Sequence, residues 1–101
     1  MAAAEFVWIV PANHPALAGH FPGQPIVPGA LLLDRAIAFA ATLAGAGTGS
    51  WRINTAKFLA PAGPGAELVF AYSAAAGGAL NFTVRAAGDV IASGSLTPPG
   101  P

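Results

Sequence analysis

Residues 29–45, GALLLDRAIAFAATLAG, form the stretch that decides the fold. Apolar side chains cover nearly the whole circumference of the helix that this stretch predicts, so the rest of a domain has to surround it. Asp34 is the exception, because no Lys or Arg stands three or four residues away to pair with it. Burying an unpaired carboxylate is costly, which makes Asp34 a candidate functional residue.

The composition limits the class of protein. A length of 101 residues suits one domain, and four Lys/Arg balance four Asp/Glu. A chain without net charge lacks the basic surface of a nucleic-acid-binding protein. The absence of cysteine excludes disulfides and thiolate metal sites, and two histidines are too few for a typical zinc site. We therefore expect no nucleic-acid partner, no metal and no other cofactor.

The proportion of apolar residues, 54%, raises the question of a membrane span. The central stretch has 17 residues and contains Asp34 and Arg35, whereas a spanning helix needs about 20 residues with few charges. The first ten residues, MAAAEFVWIV, lack the basic segment of a secretory signal. We expect no membrane span and a cytoplasmic location.

Five further segments have the composition of strands, one before the helix and four after it at hairpin spacing. Alternation is clearest over residues 81–85, where polar residues flank Phe82 and Val84 as in a sheet with one solvated face. The sequence predicts an α+β domain over residues 1–97, in which an antiparallel sheet of about five strands curls around one long central helix, and a Pro/Gly tail over 98–101. The predicted strands are Glu5–Val10, Ser50–Leu59, Glu67–Tyr72, Leu80–Arg85 and Asp89–Leu96.

The segment between the first strand and the helix, residues 11–28, is a candidate functional loop. Its five prolines and two glycines exclude a helix or a central strand, and long ordered loops in compact domains are usually functional. The loop contains His20 and leads to the helix start, where the N–H groups of residues 29–31 should lack intrahelical partners. An imidazole, the carboxylate of Asp34 and free amides are the groups that acid–base chemistry beside a carbonyl requires.

Each of these residues also has a simpler interpretation when taken alone. His20 fits a loop histidine that hydrogen-bonds a carbonyl, and Asp34 fits a carboxylate that interacts with the helix dipole. His14 lies six residues before His20, but no third ligand accompanies the pair, so solvent exposure or a turn role suits it better than metal binding. The combination of His20, Asp34 and the helix start favours catalysis.

The stretch HFPGQPIVPGALLLD, residues 20–34, resembles the signature of the 3-hydroxyacyl-[acyl-carrier-protein] dehydratases, which have the hot-dog fold. The segments KFLAPAGPGAEL (57–68) and VIASGSL (90–96) resemble later parts of the same family, and the short chain is similar to members that act in aryl polyene synthesis. The resemblance implies that acyl-carrier-protein-bound 3-hydroxyacyl thioesters are dehydrated to trans-2-enoyl thioesters. The pathway implied is fatty-acid, polyketide or aryl-polyene synthesis.

The resemblance also implies a role for each matching residue. His20 takes the proton from C2, Asp34 handles the C3 hydroxyl that leaves as water, and the amide of Gly29 binds the thioester oxygen. Family dimers draw the histidine and the acid of one site from different subunits, so we expect a homodimer, with a trimer of dimers as a larger form. The expected substrate contacts are Phe21, Pro28, Ala30, Leu31, Leu33 and Phe58, of which Leu31, Leu33 and Phe58 would line an acyl tunnel.

Two residues depart from the family pattern. Ala38 stands where the family commonly has a glutamine that hydrogen-bonds the acid, which removes an orienting partner from Asp34. Arg35 replaces a small apolar residue, and we expect it to meet a neighbouring subunit or the phosphopantetheine of the carrier. Two alternatives therefore stay open: a thioesterase on the same fold, and a non-catalytic subunit that binds acyl groups or the carrier protein.

Overall fold

The computed structural model describes residues 4–11 and 27–100. Every predicted segment within these ranges forms the expected element, and each end lies within two residues of its prediction. The predicted loop lies outside the described residues except at its two ends. In chain order the elements are β1 (Ala4–Ile9), α1 (Gly29–Ala44), β2 (Arg52–Phe58), β3 (Glu67–Ala74), β4 (Leu80–Ala86) and β5 (Asp89–Thr97), with one 3-10 turn at Ala76–Gly78.

The strands form one antiparallel sheet in the order β1-β3-β4-β5-β2, so β1 and β2 are its two edges. The β2 edge carries a bulge at Asn54, whose amide nitrogen donates to Ser95 Oγ at 3.2 Å and Thr97 Oγ1 at 2.8 Å on β5. Beside the bulge, a Cβ on Gly94 would lie 2.6 Å from the Phe82 ring and would clash with the carbonyl oxygen of Thr55. Glycine at this position lets β2 approach β5 closely.

The inner face of the sheet packs against one stripe of α1. Leu32, Ala36 and Ala40 recur every four residues along that stripe and are buried. The sheet curls around this stripe as predicted, but the opposite side of α1 is not covered throughout, because Ala30 and Asp34 are exposed. Buried residues of three strands complete the core, alternating along β3 and β4 but consecutive at the irregularity in β5: Leu68, Phe70, Tyr72, Phe82, Val84, Ile91, Ala92 and Leu96.

Helix α1 ends where the sequence predicts. Gly45 adopts a left-handed conformation with φ 67°, and the N–H of Ala46 donates to the carbonyl of Ala41 at 3.0 Å, as in a glycine-terminated helix. Within residues 4–11 and 27–100, no helix has the length and the apolar character needed to cross a membrane.

Candidate active site

At the start of α1, two amide groups have no backbone acceptor among the residues that the structure describes. Pro28 is the N-cap in an extended conformation, and its carbonyl accepts hydrogen bonds from the N–H groups of Leu31 at 3.0 Å and Leu32 at 3.3 Å. No backbone acceptor in the described part of the chain receives the N–H of Gly29 or Ala30. The expectation that Leu31 also has a free amide is wrong, because a tight first turn pairs it with Pro28.

Two contacts position this end of the helix. The buried Val27 donates its N–H to the carbonyl of Ala62 at 2.7 Å, which fixes the entry of the chain into α1. The ring of Phe58, the last residue of β2, lies over Gly29, where an added Cβ would be 2.9 Å from the ring's Cζ. A larger residue at position 29 would displace the Phe58 ring, which forms one wall beside the amides of the helix start.

Asp34 lies on the face of α1 opposite the sheet. It is two residues from both Leu32 and Ala36, which in an α-helix is about 160–200° around the axis, and it is exposed. The rise from Gly29 to Asp34 is about 7.5 Å. No side-chain hydrogen bond among residues 4–11 and 27–100 involves Asp34, and Ala38 offers it no partner. The carboxylate is thus open to a second molecule.

Arg35 contacts aromatic rings of its own chain. Its guanidinium carbon lies 4.9 Å from the ring centroid of Trp8 in β1 and 5.5 Å from that of Phe39, one turn along the helix. Both distances are in the range of cation–π contacts. The structure therefore places Arg35 between α1 and the β1 edge, and its expected contact with a neighbouring subunit or the carrier stays a prediction.

The two flanks of α1 differ in how they are filled. On the β1 side, the Phe6 ring stacks on Phe39 at 4.7 Å, and Phe39 meets Phe70 edge-on at 5.3 Å. We call this side, made of Phe6, Trp8, Arg35 and Phe39, the closed flank. On the β2 side, Ile53 is 43% and Phe58 is 51% exposed. We call that side, made of Gly29, Leu33, Ile53 and Phe58, the open flank.

Tyr72 joins the sheet to the helix and was not singled out by sequence reasoning. Its hydroxyl donates to the carbonyl of Ala36 at 2.6 Å, two residues beyond Asp34. Burial raises the pKa of Tyr72 well above its ordinary value, so the phenol keeps its proton. Tyr72 could have been found from the sequence, because it stands at an inward-facing position of a predicted strand and its hydroxyl there needs a buried hydrogen-bond partner.

The remaining predicted contacts divide between the two flanks. Leu33 lies one turn beyond Gly29 on nearly the same side of the helix, and Gly29 is the residue that the Phe58 ring contacts. Leu31 lies about 200° around the axis from Gly29 and one turn before Arg35, so it belongs to the β1 side. Pro28 is half-buried and Ala30 is exposed at the helix start.

His20 and Phe21, together with His14, lie outside the described residues. Their predicted roles therefore stay predictions. At the opposite end of α1, a separate cavity of about 250 Å³ opens between the helix and the sheet. Its lining consists of Leu43, Ala44, Tyr72, Ser73, Ala74, Gly78, Leu80 and Pro98.

A five-stranded, curled antiparallel sheet packed on one long helix defines a hot-dog-fold protein. A chain in the solved dehydratase heterocomplex ApeI:P from Xenorhabdus doucetiae has this fold. It superposes with a TM-score of 0.80 over 97% of this chain and 88% of the other, at 24% sequence identity. The predicted fold class is confirmed.

The family is identified by sequence. Residues 1–95 match the ApeI-like family model, described as ApeI dehydratase, and the chain belongs to that family. The suspected kinship with 3-hydroxyacyl-[acyl-carrier-protein] dehydratases is also confirmed by individual relatives. The chain is 35% identical to the dehydratase FabZ of Chlamydia trachomatis serovar L2 over 87% of its length, and 37% identical to that of Gluconobacter oxydans over 58%. It spans 66% and 40% of the lengths of these two relatives.

Proposed function

We propose that this protein dehydrates 3-hydroxyacyl thioesters carried by an acyl carrier protein to trans-2-enoyl thioesters, in the cytoplasm and within a fatty-acid, polyketide or aryl-polyene type of synthesis. The observation that carries the proposal is the start of α1. Two free amides and an exposed carboxylate lie on one helix, about 7.5 Å apart along its axis. This arrangement offers N–H donors to a substrate oxygen and a carboxylate for proton transfer, within the length of one small substrate.

In the proposed reaction, the amide of Gly29 binds the thioester carbonyl oxygen. Negative charge that develops on this oxygen is stabilised by the amide and by the positive end of the helix dipole. His20 removes the C2 proton, and Asp34 assists departure of the C3 hydroxyl. The C–H and C–O bonds break, a C2–C3 double bond forms, and the proton and the hydroxyl group leave as water. The reaction as proposed needs no metal and no redox cofactor.

The proposed active unit is a dimer formed along the open flank. Ile53 and Phe58 expose apolar surface on an edge strand whose outer backbone groups are available for pairing. A partner there would cover the phenyl ring beside Gly29 and bring a second histidine loop towards Asp34. A second copy of this chain is the simplest partner, with a trimer of dimers as a larger form. The X. doucetiae heterocomplex indicates that a non-identical partner is the alternative to test.

The test is turnover of a 3-hydroxyacyl carrier-protein thioester by the wild type, His20→Ala and Asp34→Asn. Removing a general acid or base typically costs 10²–10⁴-fold in rate, so we expect losses of about that size in both variants. Asp34→Asn should fold like the wild type, because the side chain is exposed. Equal turnover by all three proteins would contradict the assigned roles. Release of free thiol without an enoyl product would indicate a thioesterase.

A second candidate, a non-catalytic subunit that binds acyl groups or the carrier protein, is favoured by one observation. Asp34 has no hydrogen-bond partner in the described part of the chain, and Ala38 stands one turn beyond it. For an active but weakly oriented acid, Ala38→Gln should raise kcat, whereas the shorter Ala38→Ser, which cannot reach Asp34, should not. Carrier binding without turnover by the wild type and by Ala38→Gln would support the non-catalytic subunit.

A further inference from the structure

The outer face of the sheet, which points away from α1, carries a cross-strand row of three valines and one arginine. Cross-strand pairing places Val7, Val69, Arg85 and Val90 side by side across β1, β3, β4 and β5. Val7 is 58% and Val90 is 38% exposed, and Ile9, which follows Val7 on the same face, is 59% exposed. Contiguous exposed aliphatic side chains on a sheet face mark an interaction surface more often than isolated ones.

Charges on this outer face are separated by sign. Glu5 lies on β1 and Glu67 on β3, whereas Arg85 lies on β4 and Lys57 on β2. Glu5 and Lys57 stand at opposite ends of a single cross-strand row. One half of the outer face is therefore acidic and the other half is basic, which is the pattern of a surface that can complement itself.

We propose that a second copy of this chain packs against the outer face, sheet on sheet, about a two-fold axis that runs parallel to the strands between β3 and β4. This axis places β1 over the partner's β5 and β3 over the partner's β4. Val7 then meets the partner's Val90, and Val69 covers the stem of the partner's Arg85. Because the two-fold axis repeats each contact, the interface contains two Val7–Val90 pairs and two Val69–Arg85 pairs.

The same axis also pairs opposite charges. Glu67 is the outer-face neighbour of Val69 on β3, so it lies within reach of the partner's Arg85. Glu5 faces the partner's β5, beside the strand that carries the partner's Lys57. A two-fold axis placed over β4 would also stack the two sheets. It would bring the two Arg85 side chains together, and their like charges would repel. The charges therefore favour the position between β3 and β4.

The size of the overlap sets the expected strength. Four strands spaced about 4.8 Å apart, with five or six residues each, give a face of about 20 by 20 Å. Such a face buries about 400 Å² on each partner, about half the area of a standard interface, so association should be weak and should depend on protein concentration. Strand β2 and the open flank lie outside the overlap. Stacking through the outer face therefore doubles whatever unit forms along β2, and it does not depend on the catalytic chemistry.

The experiment is sedimentation velocity of the full chain at low and high micromolar concentration, with Val7→Asp as the disrupting variant. Ala46→Asp adds the same charge to the exposed turn after α1, far from the sheet face, and serves as the matched control. We expect the mass of the wild type and of Ala46→Asp to double with concentration, and that of Val7→Asp to stay at half the wild-type limit. An unchanged mass in Val7→Asp would overturn the proposal.

Charge reversal tests the position of the axis. Glu67→Arg should prevent the doubling, because it faces the partner's Arg85, and Glu67→Arg combined with Arg85→Glu should restore it. Circular dichroism and a thermal melt establish that each variant is folded. Failure of the folded double variant to associate, or a wild type that never doubles, would refute the arrangement.

Discussion

The two flanks of α1 differ in how much aromatic surface they contain and in how far the chain itself covers that surface. On the closed flank, Phe39 contacts Phe6, Phe70 and Arg35, so the chain satisfies this side by itself. On the open flank, the ring of Phe58 lies over the helix start and is half-exposed. The difference indicates that the closed flank contributes more to the stability of the fold, whereas the open flank leaves apolar surface exposed in the described part of the chain.

The largest expected effect comes from comparing the two phenylalanines. Phe39→Ala removes a ring packed against two others, and we expect a loss of about 2–3 kcal/mol in the free energy of unfolding. Phe58→Ala should cost less than about 1 kcal/mol within one chain, because half of the ring is already in water. Urea unfolding at low protein concentration measures both. Equal losses would show that the flanks do not differ.

Next in size is the strain at the helix start. Gly29→Ala adds a methyl group about 3 Å from the Phe58 ring, which must move away from the free amides. We expect kcat/KM for the thioester to fall about tenfold, equivalent to about 1.4 kcal/mol. Phe58→Ala in the same chain removes the clash, so the effect of Gly29→Ala should largely vanish in that background. If the effects of Gly29→Ala and Phe58→Ala on kcat/KM simply add in the double variant, the Phe58 ring does not act through position 29.

Tyr72 lies between the flanks and gives a pH-dependent effect. Tyr72→Phe removes a buried hydrogen bond to Ala36 and should cost about 1 kcal/mol at neutral pH. Because burial raises the pKa of Tyr72, the folded state retains a proton that the unfolded state loses above about pH 10. Stability from the neutral phenol is therefore complete below that pH and is lost as the pH rises further.

The measurement compares the free energy of unfolding of the wild type and Tyr72→Phe from pH 8 to pH 11. This range brackets the ordinary tyrosine pKa of about 10. We expect a steeper loss of stability in the wild type. Tyr72 is the single tyrosine of the chain, so phenolate absorbance reports on it alone. Identical pH profiles would mean that the phenol is not held in its neutral form.

The smallest effect concerns the cation on the closed flank. Arg35→Gln removes two cation–π contacts at a half-buried position and should cost about 0.5–1 kcal/mol. Arg52→Gln, at an exposed position in β2, is the matched control and should change stability very little. A thermal melt in low and high salt measures both. A loss in the control as large as in Arg35→Gln would assign the effect to net charge.

The boundaries of the strands followed from local signals, whereas the orientation of the helix did not. Proline and glycine mark the turns, and the alternation around Phe82 and Val84 correctly indicates which side of β4 is buried. Helix α1 lacks such a guide, because its residues are apolar on every side. The direction in which Asp34 points could therefore not be predicted from the sequence.

Contacts between distant residues were the least predictable part of the candidate site. Arg35 meets Trp8 only because β1 and α1 become neighbours in the fold, and Phe58 meets Gly29 for the same kind of reason. The short motif around Gly29 was recognisable because its residues are consecutive. Its neighbours from other strands carry no local pattern, so sequence reasoning did not foresee the contact between Arg35 and Trp8 and missed Tyr72.

The alanines at positions 36 and 40 set the thickness of the molecule. Only a methyl group separates the helix backbone from the sheet at each of these points, and both residues are fully buried. A valine at either position would lift the helix outward and carry the Gly29 amide and the Asp34 carboxylate with it. Side chains that never meet a substrate thus act as spacers that decide how deep a thioester can sit.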